Sequence, residues 1–181
     1  MSTKDSLTAL ALKWRYDNFQ KGTLEGFPSG STEVFDQDTS FNSVVFRLYL
    51  GDYLEEKGLE SSLAYRHYLE AYELAKKLKD SLLICESLKR MVDQVNDNGE
   101  NHNLLDTLSN RYDAYAFDTF EKDLARLHRN RAESLIKSIP LIEEFMATAA
   151  SAERNGNLAV LAYCKKLMGV KYEVYADSME N

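Results

Sequence analysis

Leu50-Gly51-Asp52-Tyr53, then Gly58, then Ala64-Tyr65-Arg66-His67-Tyr68-Leu69-Glu70-Ala71-Tyr72-Glu73-Leu74-Ala75 is the stretch that decides the fold. It reads as two amphipathic helices joined by a turn at Gly58, the second ending at Asp80. Small residues stand where one helix must lie close to the other. A Gly or Ala at a crossing lets two backbones approach, and a Tyr beside it fills the remaining space. The pattern predicts an α-hairpin, an architecture that more often binds than catalyses.

The rest of the chain agrees with an all-α reading. Its 181 residues suffice for one domain with a substantial core, and only Pro28 and Pro140 interrupt segments rich in Leu, Ala, Glu and Lys. The net charge of −7 disfavours nucleic acid, whose affinity comes largely from neutralised phosphates. Arg126-Leu127-His128-Arg129-Asn130-Arg131, the densest basic cluster, is interspersed with Glu121, Asp123 and Glu133 and reads as a solvated helix face. Cys85 and Cys164 stand alone inside apolar helical patterns, which suggests buried thiols in a reducing compartment. The apolar run Leu7–Leu12 is six residues long before Lys13, Trp14 and Arg15 end it, too short for a signal peptide. No window reaches the ~18–20 apolar residues of a membrane span. A cytoplasmic protein that binds neither membrane nor nucleic acid is the expectation.

Residues 4–21 predict a first helix with Leu7, Leu10, Ala11 and Trp14 on its inner face and Gly22 as its stop. Residues 22–40, about 19 in number, are long for a connection in a compact domain and read as either functional or mobile. Phe27 and Phe35 would pin this loop to the helices, and Asp36, Asp38, Thr39 and Ser40 offer caps. Gly26-Phe27-Pro28-Ser29-Gly30-Ser31 lacks the Gly-Lys-Ser/Thr ending of a phosphate loop. Further helices are marked by Val45 and Leu48; by Leu63, Ala64, Tyr68, Ala71, Tyr72 and Ala75; and by Leu83 to Val95. Beyond these come Leu104 to Ala116, residues 122–138, a segment opened by Pro140 and closed at Asn155-Gly156, and residues 157–176 with Leu158 and Leu161 inward. The turn signals Gly58, Gly99 and Pro140 are 41 residues apart. The reading is one domain over residues 1–181: an N-terminal helix and loop over 1–40, then stacked antiparallel hairpins over 41–181, about seven helices in all.

Across residues 45–80 the chain resembles the tetratricopeptide repeat family. Leu50-Gly51 looks like that family's Leu-Gly pair, and Ala64, Tyr68 and Ala71 match its Ala-x3-Tyr/Phe-x2-Ala pattern. Gly58 lies six residues before Ala64 where the family usually has five. Residues 81–118 keep the helices and the Asn98-Gly99 turn without the small-residue signature, and Ala149 to Ala159 with Tyr163 looks like another hairpin. The resemblance implies a right-handed superhelix whose groove accepts a peptide or partner helix. Its inner-face positions carry over to Tyr49, Asp52 and Glu56, and the 41-residue offset adds Arg90, Asp93 and Arg131 as partner-binding residues.

Catalytic signals are weak. His67, His102 and His128 show no metal-ligand spacing, no nucleophile motif is present, and Glu55-Glu56 and Glu143-Glu144 point about 100° apart on a helix. Neither catalytic residues nor a metal nor a cofactor is expected. The sequence favours a noncatalytic interaction or regulatory scaffold with a protein or peptide partner, with homodimerisation through an exposed terminal hairpin as an accessory expectation. The competing readings are a helical sensor that encloses a small molecule, and an enzyme with its site around Arg126, Arg129 and Arg131.

Overall fold

The computed structural model describes residues 2–21, 27–28, 33–58, 61–98, 101–137 and 141–179. Among the described residues there are eight helices and no strand: α1 (Thr3–Lys21), α2 (Phe41–Glu56), α3 (Ser61–Leu78), α4 (Ser81–Asn98), α5 (His102–Tyr115), α6 (Thr119–Lys137), α7 (Ile142–Arg154) and α8 (Leu158–Met179). The fold is all-α, with one helix before the long loop and seven after it. Gly22, Gly99 and Pro140 lie outside the described residues, as do the side chains of Leu135, Ile136 and Tyr172. No described helix is long and apolar enough to cross a membrane.

The helix ends follow from local chemistry. Asp80, Asn101, Asp118 and Asn157 each place a side-chain oxygen on a backbone N–H three residues on, at 3.0, 3.0, 2.8 and 3.3 Å, which satisfies donors the helix leaves orphaned. The chain breaks at residues 116–118 instead of continuing one long helix, and the Asp118 cap starts α6 at Thr119. Gly58 and Gly156 adopt φ of 64° and 70°, the left-handed conformation that closes α2 and α7.

The chain forms two compact units, Met1–Gln94 and Val95–Asn181. In the first, α1 packs on α2 and α2 on α3. The loop expectation holds here. Phe35 stacks on Phe46 with centroids 4.3 Å apart, while Phe27 stacks on Tyr53 at 4.7 Å and meets Trp14 edge-on at 5.0 Å. Trp14, Phe35 and Phe46 are buried, each worth about 1.5–3 kcal/mol of apolar burial. Trp14 is therefore a core anchor. In the second unit α5 pairs with α6, α6 with α7 and α7 with α8. Leu127, Phe145, Ala149, Ala152, Val160 and Cys164 form its apolar centre.

Three apolar residues assigned to inner faces point outward instead. Leu10, Leu63 and Leu158 are 47, 41 and 71% exposed. The cap at Asn157 starts α8 so that Val160 and Cys164, not Leu158, face α7. In α3 the inward row starts at Ala64, because Tyr68, Ala71 and Ala75 set its phase.

The α2–α3 crossing has no spare room. A Cβ built on Gly51 would lie 2.3 Å from Tyr68 Cε1. Tyr68 is fully buried and held at its hydroxyl, so its ring cannot swing aside. Replacing a mid-helix glycine by alanine ordinarily gains about 0.5–1 kcal/mol, whereas overpacking costs about 1–3. Gly51→Ala should therefore destabilise the chain despite its better helix propensity. Urea denaturation checks this, and an unchanged or raised midpoint would refute the close-packed crossing.

Candidate functional site

Four of the six residues expected to bind a partner meet in one polar network of the first unit. Asp52 on α2 is buried, and Arg90 on α4 grips its carboxylate with two nitrogens, Nε to Oδ1 at 2.8 Å and Nη2 to Oδ2 at 3.2 Å. The Tyr68 hydroxyl donates toward Asp52 Oδ1 at 3.0 Å and Glu55 Oε2 at 2.9 Å, its one proton serving the two carboxylates in turn. Burial, together with Asp52 and Glu55, pushes that phenol far above its ordinary range. Arg90 also holds Glu86, and although burial opposes its charge, the two carboxylates raise its pKa further. Its guanidinium lies 5.9 Å from the Tyr49 ring centroid. Glu56 receives Arg15 Nη1 of α1 at 2.7 Å and the Asn18 amide, and Arg15 Nε is 3.8 Å from Asp52. Tyr49, Asp52, Glu56 and Arg90 thus tie α1, α2, α3 and α4 together.

The remaining two expected residues are Asp93 and Arg131. Asp93 is half-buried on α4, and Arg131 belongs to α6 of the second unit, where its guanidinium sits 5.3 Å from the Tyr163 ring centroid. The Arg126–Arg131 cluster is likewise divided. Arg129 binds Asp113 of α5 at 2.7 Å, Arg131 faces α8 and Arg126 is exposed. In the same unit, buried Asp123 accepts from Ser151 Oγ at 2.6 Å and Asn155 Nδ2 at 2.8 Å. Burial and the nearby Asp123 push the Cys164 thiol up to about 11, which makes it a poor nucleophile. Among the described residues no three His, Cys, Asp or Glu side chains converge to hold a metal ion.

The first unit carries an open groove of about 780 Å³. One wall is Asp36 to Thr39, the segment leading into α2. The other is a face of α3 that runs from Arg66 through Leu69, Glu70, Glu73 and Leu74 to Lys77. Asp38 is fixed by Ser40 and by Lys4 at 3.2 Å; burial opposes its charge, yet these contacts hold its carboxyl below the usual range. Arg47 also contributes to the lining, although only 9% of it is exposed. Its Nη2 donates to the Phe35 carbonyl at 3.0 Å, while Nη1 stands 3.7 Å from Glu70 Oε2, too far for a hydrogen bond. Glu70 accepts from Arg66 Nε at 3.1 Å, and His67 Nδ1 stands 3.7 Å from it without a hydrogen bond. The Nε of Arg47 has no hydrogen-bond partner.

Arg47 was not among the sequence candidates, although a signal for it exists. It interrupts the apolar run Val44-Val45-Phe46 before Leu48, where a lone cation must be buried or must break the helix's packing. Asp36 and Asp38 entered only as caps. No protein-family model, curated protein or solved structure matches this chain.

Asp52→Asn leaves Arg90 buried with half its carboxylate contact, and should cost about 3 kcal/mol of stability. The double variant Asp52→Asn/Arg90→Met should cost less than the sum of the singles in a denaturation cycle, and additive losses would contradict a coupled pair. Burial lowers the His67 pKa below its ordinary 6.5, against the pull of Glu70. The unfolded chain therefore takes up that proton first as the pH falls. Wild type should lose stability relative to His67→Gln as pH drops from 6.5 through the lower native pKa, and the two should differ by a constant amount above pH 7.

Proposed function

We propose that this chain is a noncatalytic interaction module that holds a peptide or partner helix in the groove between residues 36–39 and α3. The observation that carries this reading is the groove's lining. Seven of its eleven residues are charged, of both signs, and Leu69 lies beside them partly exposed on the same wall. A peptide offers backbone donors and acceptors, charges and apolar side chains together, which is what such a wall matches. A small-molecule sensor would need a mostly apolar, enclosed pocket, and an enzyme a cleft where ionisable groups converge on one reacting position.

The likeness of the Leu50–Asp80 hairpin to a tetratricopeptide unit supports the same mode of action. In this reading Tyr49, Asp52, Glu56 and Arg90 serve binding indirectly. Asp52 and Arg90 are engaged with each other, Glu56 is held by Arg15 and Asn18, and the Tyr49 ring lies under Arg90, so the network fixes the angle at which α2 presents Arg47 and the loop to α3. The groove itself is lined by other side chains, of which Asp36, Leu69 and Lys77 remain accessible.

A display library of random short peptides, panned against the full chain, tests this. Wild type should enrich a recognisable sequence class. Leu69→Asp, a change at an accessible position, should abolish that enrichment, while Leu158→Asp in the other unit should leave it intact. Failure of wild type to enrich any class, or equal enrichment by Leu69→Asp, would overturn the proposed groove.

A further inference from the structure

Arg47 is the group in this groove that the fold itself does not satisfy. A guanidinium offers five N–H donors, and desolvating it is repaid only when acceptors meet those donors at good geometry. Here one carbonyl meets Nη2 at 3.0 Å, the nearest carboxylate oxygen to Nη1 is 3.7 Å away, and Nε meets nothing. Glu70 cannot close the gap where it stands, because Arg66 holds its other oxygen at 3.1 Å. Resting on the peptide-binding reading above, we propose that Arg47 is the anion seat of the groove, and that it takes the carboxylate of an acidic side chain flanked by basic residues in the bound peptide.

The surrounding charges select that ligand chemistry. Asp36 and Asp38 line one wall, and Glu70 and Glu73 the other. Arg66 and Lys77 line the groove too, but its four carboxylates outnumber the three lining cations, which makes a dianionic phosphoryl group costlier to seat there than a monoanion. A single carboxylate avoids most of that cost while still gaining charge-assisted hydrogen bonds from the guanidinium. The wall acids then meet cationic side chains on either side of it, Asp36 foremost, because Asp38, Glu70 and Glu73 already pair with Lys4, Arg66 and Lys76. Asp36 is exposed on its wall, which leaves it accessible to one of them. Bound carboxylate approaches through Nη1, the nitrogen whose nearest acceptor lies at 3.7 Å.

The test uses the full chain, isotope-labelled for NMR, and three capped peptides: Lys-Ser-Glu-Ser-Lys and its counterparts with glutamine or phosphoserine at the centre. The glutamate peptide should shift the backbone amides of residues 36–39 and 69–77. The glutamine peptide should bind about tenfold more weakly, the loss expected for a charge-assisted hydrogen bond. Phosphoserine should bind no more tightly than glutamate. Arg47→Met should erase the glutamate-over-glutamine preference. Because Arg47 also holds the Phe35 carbonyl, Asp36→Lys serves as the second variant; it leaves Arg47 in place and should weaken the glutamate peptide by repelling its lysines. Equal binding of the glutamate and glutamine peptides with groove shifts present would overturn the anion seat and leave peptide binding standing. Tighter phosphoserine binding would assign the seat to a phosphopeptide instead. No shift in residues 36–39 or 69–77 with any peptide would overturn the anion seat and count against the groove itself.

Discussion

The ring of Tyr68 lies against the bare Cα of Gly51, and its hydroxyl reaches Asp52 one residue further along the same helix. This single contact fixes both the distance and the rotation between α2 and α3. The missing Cβ sets how close the helices come, and the hydroxyl sets which face of α2 turns inward. Asp52, once inward, is a buried carboxylate that demands a cation, and Arg90 supplies it through two nitrogens. A close approach thus decides where an ion pair forms, and the ion pair in turn positions α4. Arg15 extends the same chain of contacts to α1 through Glu56.

Several buried polar groups elsewhere are met by neutral partners. Asp123 is met by a hydroxyl and an amide, Asn130 donates to Thr148 at 3.0 Å, and Asn157 reaches the Phe120 carbonyl at 3.3 Å. Trp14 Nε1, Ser43 Oγ and Ser109 Oγ also lack a hydrogen-bond partner, but Arg47 differs from them in carrying a charge and in lining an open groove. A cation with one good acceptor, at the edge of an open groove, is where the fold leaves binding energy for something else to use.

The long loop becomes intelligible from the same residues. Its described part is anchored by aromatic rings on α1 and α2, and the Phe35 carbonyl accepts from Arg47. Anchoring at Phe35 brings Asp36 to Thr39 opposite α3 as a wall. A connection that is long for its topological task is therefore also what creates the groove.

Much of this architecture is legible in the sequence. The 3.6-residue period locates the helices, the spacing of Gly51 and Tyr68 announces their close crossing, and Trp14, Phe27 and Phe35 announce themselves as anchors, because propensity, capping and small–large pairing are local properties. Charged residues are less legible. Asp52 and Arg90 are 38 positions apart, and a carboxylate on a helix looks the same in sequence whether it meets water or a buried guanidinium. The same ambiguity hid Arg47 and let Leu63 and Leu158 be read as inward. Sequence alone determined that this chain is helical and that α2 and α3 approach closely at Gly51. Tertiary structure decided which charges face each other and which one faces a groove, since burial depends on neighbours that only folding brings together.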